Sequence, residues 1–82
     1  MTVLLSETAQ KDVRGSHAPG ALTLVHVVSL LERLNPHDLT SASKVHRVSG
    51  TEEEIYVLRE RGMRVFFTRR DQDIVILSIT NG

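Results

Sequence analysis

Hydrophobic and polar positions follow two different rhythms along the chain. Between Ala21 and Leu34 the apolar residues Leu24, Val27, Val28, Leu31 and Leu34 recur every three or four positions, with Glu32 and Arg33 off that stripe. This spacing predicts an amphipathic helix over residues 21–34. The β-branched Val25, Val27 and Val28 favour a strand, but the segment is long for one and its spacing outweighs strict alternation. Thr2 to Leu5 is a short β-prone run, and Ser6 after it is a good N-cap with Glu7 in the first turn, so a first strand should pass into a helix over Glu7 to Arg14. Gly15, Pro19 and Gly20 end that helix and imply a tight connection to the next. Asn35-Pro36 closes the second helix. His37 to Thr51 is polar and rich in Ser and Thr, a long loop with one candidate extended piece at Lys44 to Val48.

The second rhythm begins after Glu52-Glu53-Glu54, where Ile55 to Arg59, Met63 to Arg69 and Ile74 to Thr80 read as strands. Glu60-Arg61-Gly62 and Arg70-Asp71-Gln72-Asp73 are short enough to be hairpin connections, with Gly62 free to take positive φ. Strand, helix, helix, then a three-stranded antiparallel meander predicts an α+β fold with both helices on one face of the sheet. The run IVILSI is apolar on both faces and belongs in the sheet interior. If the first strand pairs beside it, the two helices form the connection between them. Leu24, Val28, Leu31, Leu77 and one of the two phenylalanines are expected to be buried.

Composition narrows the function classes without naming one. With 82 residues, 40% hydrophobic and 24% charged, the chain has room for one core and one site. The sequence contains no cysteine, which removes disulfides, thiolate zinc sites, iron-sulfur clusters and a Cys nucleophile. No apolar run is as long as a membrane span, and the amino terminus MTVLLSETAQ carries no export leader, so a soluble cytoplasmic protein with no membrane partner is expected. A domain of this size is often marginal alone, which makes a stabilising partner chain a reasonable expectation. No P-loop, GxSxG or dinucleotide fingerprint is present, and no cofactor is expected.

Ten Lys and Arg balance ten Asp and Glu overall, but the charges are unevenly placed. Residues 44–70 hold Lys44, Arg47, Arg59, Arg61, Arg64, Arg69 and Arg70 against four glutamates, a local excess of three positive charges. The planar fork of Arg suits phosphate, and several on one sheet surface can follow a nucleic-acid backbone. The same residues at strand ends and turns can equally serve to solvate the sheet. His17, His26, His37 and His46 lie nine to eleven residues apart, without metal-site spacing, so no metal is expected. His46 stands out, because beside Lys44 and Arg47 it can accept a proton near neutral pH, or be an ordinary loop histidine. Glu52 to Glu54 reads as a solvated turn, and Tyr56 as a strand residue whose ring is partly core.

Taken together, the element order and the run Leu58-Arg59-Glu60-Arg61-Gly62-Met63-Arg64-Val65-Phe66-Phe67 resemble the RelE/ParE superfamily of bacterial type II toxin-antitoxin toxins. The shared pattern is a Leu-Arg pair, a Gly three residues after that Arg, a second Arg two further on, then an aromatic. The opening, Val3 to Ser6 followed by a helix near Glu7, is similar as well. The resemblance covers nearly the whole chain and is specific over residues 44–80. It implies a RelE-like fold, one toxin domain over residues 1–82, and a cognate antitoxin as partner. RelE-branch members are implied to cut mRNA on the ribosome through attack of a 2′-hydroxyl on the adjacent phosphate. ParE-branch members are implied to block DNA gyrase.

Carried over residue by residue, Arg64 matches the strand arginine on the scissile phosphate and Arg59 the arginine that accompanies it. With His46 they form the candidate catalytic set, and Lys44, Arg47, Arg61 and Arg69 form the candidate RNA-binding set. The strand lysines of the nuclease branch align with Ile55 and Val57, which neither move a proton nor hold a phosphate. The second arginine and the tyrosine of the family's carboxy-terminal tail would fall after Gly82. The resemblance therefore leaves three readings open: a nuclease using other residues such as His46 or Arg61, a shortened or inactive relative, and a toxin that acts by protein contact.

Overall fold

The structure is a computed structural model that describes residues 2–15 and 20–81, with the backbone alone for residues 21 and 22. The short connection expected around Pro19, and His17 with it, lie outside the described residues. The first strand, β1 (Val3–Leu5), runs through Ser6 into α1 (Glu7–Asp12). Ser6 has extended backbone, and its hydroxyl accepts from Ala9 N–H at 3.1 Å, as an N-cap should. The second helix, α2 (Ala21–Glu32), stops two residues before the predicted end, where Asn35 Oδ1 accepts from His37 N–H and Pro36 bars continuation. The polar segment after it holds a single 3-10 turn at Leu39–Ser41 and then β2 (Val45–Arg47), the extended piece expected there. The meander follows as β3 (Ile55–Glu60), β4 (Met63–Arg70) and β5 (Asp73–Asn81).

Five strands form one sheet in the order β1-β5-β4-β3-β2. The meander is antiparallel and β1 joins β5 in parallel, but the two helices do not link these neighbours as expected: they carry the chain from β1 at one edge of the sheet to β2 at the other, and the meander then returns to β5. β5 thus lies inside the sheet, as its double-sided apolar run requires. The β3–β4 turn takes positive φ at Arg61 (49°) as well as Gly62 (76°), the two-residue geometry that matches strand twist.

Both helices pack on one face. Ala9, Val27 and Leu31 join Val45, Leu58, Met63, Val65, Phe67, Ile74, Ile76 and Ile79 in a single core cluster. Phe67 is fully buried and stacks on Tyr56 with ring centroids 5.6 Å apart, so Tyr56 is partly core as expected. Three expected core residues are only half-buried. For Val28 and Leu24 the reason is helix rotation, since the centre of the buried stripe is Val27 and Leu31. For Leu77 the reason is a β-bulge: Phe66 pairs with Ser78 and Phe67 with Ile76, leaving Leu77 as the extra residue. The Leu77 carbonyl accepts from the Ser6 hydroxyl at 2.8 Å, and Asp12 Oδ2 accepts from Ile79 N–H at 2.9 Å. In this way α1 continues the bonding of β5 beyond the end of β1. No helix among the described residues is long and apolar enough to cross a membrane.

Candidate functional site

Cross-strand partners share a face of a sheet, so the register sorts the candidate residues without further assumption. Leu58 pairs with Val65 and Tyr56 with Phe67 on the helix-covered face. The residues between them point the other way and make three rows across the helix-free face. One row is Arg59, Arg64 and Thr80. The next is His46, Val57, Phe66 and Ser78. The third is Ile55, Thr68, Val75 and Leu4. Val57 and Val75 are buried but stand apart from the main core cluster, a small apolar patch of their own.

All three candidate catalytic residues therefore share this face. Arg59 and Arg64 sit directly opposite each other, with β-carbons roughly 4.5–5.5 Å apart by sheet geometry, where like charges oppose folding. Among the described residues neither has a carboxylate within ion-pair distance. Together with the turn residues Arg61 and Gly62 they border an open cavity of about 290 Å³ at the end of the β3–β4 hairpin. A bound anion would relieve the repulsion that the sequence builds in here. Ile55 and Val57 also lie on this face.

The candidate RNA-binding residues are scattered. Arg47, in register with Tyr56, and Arg69, in register with Ile74, are on the helix-covered side. Arg47 lies 3.8 Å from Glu54, and Arg69 donates to the carbonyls of Pro36 and Asp71. Tyr56 donates to Glu54 beside them. Burial, the Glu54 charge and that hydrogen bond raise the pKa of its hydroxyl against the opposing pull of Arg47 and Arg69. Glu53 faces Arg70, and the acidic triplet is exposed, as expected of a solvated turn.

Lys44 and Arg61 both belong to a cluster that the sequence reading missed. Glu60 is buried, its side chain 8% exposed, with Lys44 Nζ at 2.5 Å, His26 Nε2 at 3.9 Å and Arg61 Nε at 4.0 Å. The signal was present: Tyr56, Leu58 and Glu60 share one parity, which puts a carboxylate on the core side of a strand end and demands cations around it. The Lys44 hydrogen bond, followed by the charges of Lys44, His26 and Arg61, holds the Glu60 carboxyl below its ordinary value although burial pushes it up. A lowered carboxyl pKa supplies stability above the ordinary value, and that stability is lost as pH falls through the lowered one. Glu60→Gln should therefore be less stable than wild type near neutrality, with the gap closing only as pH falls below the ordinary carboxyl range and through the lowered Glu60 value. Urea denaturation from neutral to acid pH measures this, and a constant gap would remove the charge from the account.

The arrangement has a close structural counterpart. A chain in the crystal structure of the archaeal RelE-RelB complex from Pyrococcus horikoshii OT3 superposes with a TM-score of 0.68 at 21% identity, covering 98% of this chain and 92% of that one. The fold is RelE-like. No protein-family model matches the sequence, and no curated protein matches it. The RelE-like fold places Arg59, Arg64 and His46 together on the open face of its sheet, and commits Lys44 and Arg61 to Glu60.

Proposed function

We propose that the chain is the toxin of a toxin-antitoxin pair, a single domain over residues 1–82 that acts in the cytoplasm on ribosome-bound mRNA and is held in check by a cognate antitoxin. The observation that carries this reading is the opposed pair Arg59 and Arg64, without carboxylate partners, on the helix-free face of a RelE-like sheet. The solved structure with this fold is of a complex between RelE and RelB, which supports a protein partner here as well. In the reaction proposed, the 2′-oxygen of one nucleotide bonds to the adjacent phosphorus and the 5′-oxygen of the next leaves. The products are a 2′,3′-cyclic phosphate and a 5′-hydroxyl. Arg64 and Arg59 offset the charge that builds on the phosphorane oxygens. His46, one row along the same face, takes the proton from the 2′-hydroxyl, and solvent water supplies the proton that the departing 5′-oxygen takes up.

Ile55 and Val57 support a second reading. Where the family's nuclease branch has lysines, this face is apolar, which suits protein contact with gyrase or with the antitoxin alone. RNA binding and RNA cleavage separate the two. With fluorescein-labelled single-stranded RNA, exchanging Arg59→Ala and Arg64→Ala together should weaken binding and lower the slope of log K against log salt by about 1.4, the share of two phosphate contacts on a single strand. Affinity indifferent to both salt and these substitutions would refute the phosphate site. Cleavage on mRNA-programmed ribosomes, run beside a gyrase supercoiling assay, then assigns the target.

A further inference from the structure

Phe66 and Phe67 are neighbours in sequence with opposite fates. Phe67 is fully buried and stacked on Tyr56. Phe66 points to the open face, is only half-buried, and makes no aromatic or cation–π contact among the described residues. Its lateral partners are Val57 and Ser78, both smaller than the ring, and its neighbour along the strand on the same face is Arg64. Alternate residues of a strand, as Arg64 and Phe66 are, lie roughly 7 Å apart, the scale of a single nucleotide. An aromatic ring beside a pair of arginines without carboxylate partners is the combination that holds unpaired nucleic acid, phosphate on the charge and base on the ring.

We propose that Phe66 is a stacking platform for one base of a single-stranded RNA whose adjoining phosphate lies on Arg59 and Arg64. The inference rests on the phosphate reading above and extends it to the form of the ligand. Duplex RNA keeps its bases stacked on one another and offers none to the ring, so the site selects single strands. Small polar residues on the β5 side, Ser78 and Thr80, leave that flank of the platform low. His46 is in the same row as Phe66 with only Val57 between them, so the base seated on the ring places its own sugar near the imidazole.

The chain has no tryptophan, which makes Phe66→Trp a single fluorescent reporter at the platform. Titrations would use the full chain with a short single-stranded oligoribonucleotide, the same sequence as duplex, inorganic polyphosphate and poly-glutamate. The single strand should quench the indole emission, while polyphosphate, which has charge but no base, should bind without quenching it. Phe66→Leu should lower single-strand affinity roughly 5- to 150-fold, the range for loss of one base–aromatic stack. It should leave polyphosphate affinity and melting temperature near wild type, and Phe66→Tyr should retain single-strand binding. If the single strand binds through the arginines but neither quenches the indole nor responds to Phe66→Leu, the platform is refuted and the phosphate site stands. Failure of wild type to bind single-stranded RNA overturns both. Equal affinity for duplex, or an indole shift with poly-glutamate alone, overturns the platform in favour of a backbone groove or a polypeptide occupant, respectively.

Discussion

Arg64→Ala is expected to lower ribosome-programmed mRNA cleavage by roughly 10²- to 10³-fold, the effect of removing one group that stabilises transition-state charge. Arg64 outranks Arg59 for a structural reason. It lies on β4, flanked by β3 and β5 through an extended register, whereas Arg59 is on β3 beside the three-residue β2. The guanidinium of Arg64 is thus carried by the better-fixed backbone, and rigid placement of charge is what distinguishes catalysis from simple attraction. Arg64→Lys should recover only part of the loss, because an ammonium cannot present two parallel donors. The side chain is exposed and has no ion-pair partner among the described residues, so the melting temperature should hold in both variants. Cleavage and thermal unfolding measured on the same preparations decide the matter. Equal cleavage by wild type and Arg64→Ala, or none by either, would remove the catalytic role and leave a face that works by binding.

Much of the fold was legible because its determinants are local. The 3-4 spacing of α2, the Ser6 cap and the positive φ at Gly62 each act within a few residues and each is present, although α2 ends at Glu32 and Glu60, expected in the turn, pairs with Met63 as the last residue of β3. What the pattern could not supply were features set by distant contacts. The rotation of α2 that buries Val27 in preference to Val28 depends on where β1 and β5 lie, and a helical stripe marks a broad arc rather than one line. The bulge at Leu77 is tied to hydrogen bonds with Ser6 and Asp12 from the other end of the chain. Nothing in the run IVILSI itself distinguishes the residue that leaves the ladder.

The site was legible in a different way. Strand parity alone puts Arg59 and Arg64 on one face once the turn between them is fixed at Arg61-Gly62, since residues flanking a two-residue turn pair in order. His46 joined them only because β2 (Val45–Arg47) pairs with β3 in that register, and the extended piece expected at Lys44 to Val48 did not itself say which strand it joins or which face His46 takes. Grouping Lys44, Arg47, Arg61 and Arg69 by charge gave no such information. Charge does not reveal which face a residue takes, nor that a buried Glu60 claims Lys44 and Arg61. The local excess of positive charge is therefore spent partly on structure, and the share left for a ligand is concentrated at two positions.

Phe67→Ala should produce the largest loss of stability, about 3–5 kcal/mol for truncating a fully buried aromatic in a core that cannot collapse around the gap. The stack on Tyr56 is lost with it. A chain of this length is held together by about 4–12 kcal/mol in total, at 0.05–0.15 kcal/mol per residue. The substitution therefore takes a large fraction of that margin, and the melting temperature should fall by roughly 12–40 °C at 4–8 °C per kcal/mol for a small domain. Phe66→Leu, one residue away, keeps most of the volume on a face that no helix covers and should leave the midpoint within a few degrees. Calorimetry on the two variants tests the assignment of faces independently of any ligand. A large loss for Phe66→Leu with a small one for Phe67→Ala would invert the sheet as described, and with it the placement of Arg59, Arg64 and His46 on a common open surface.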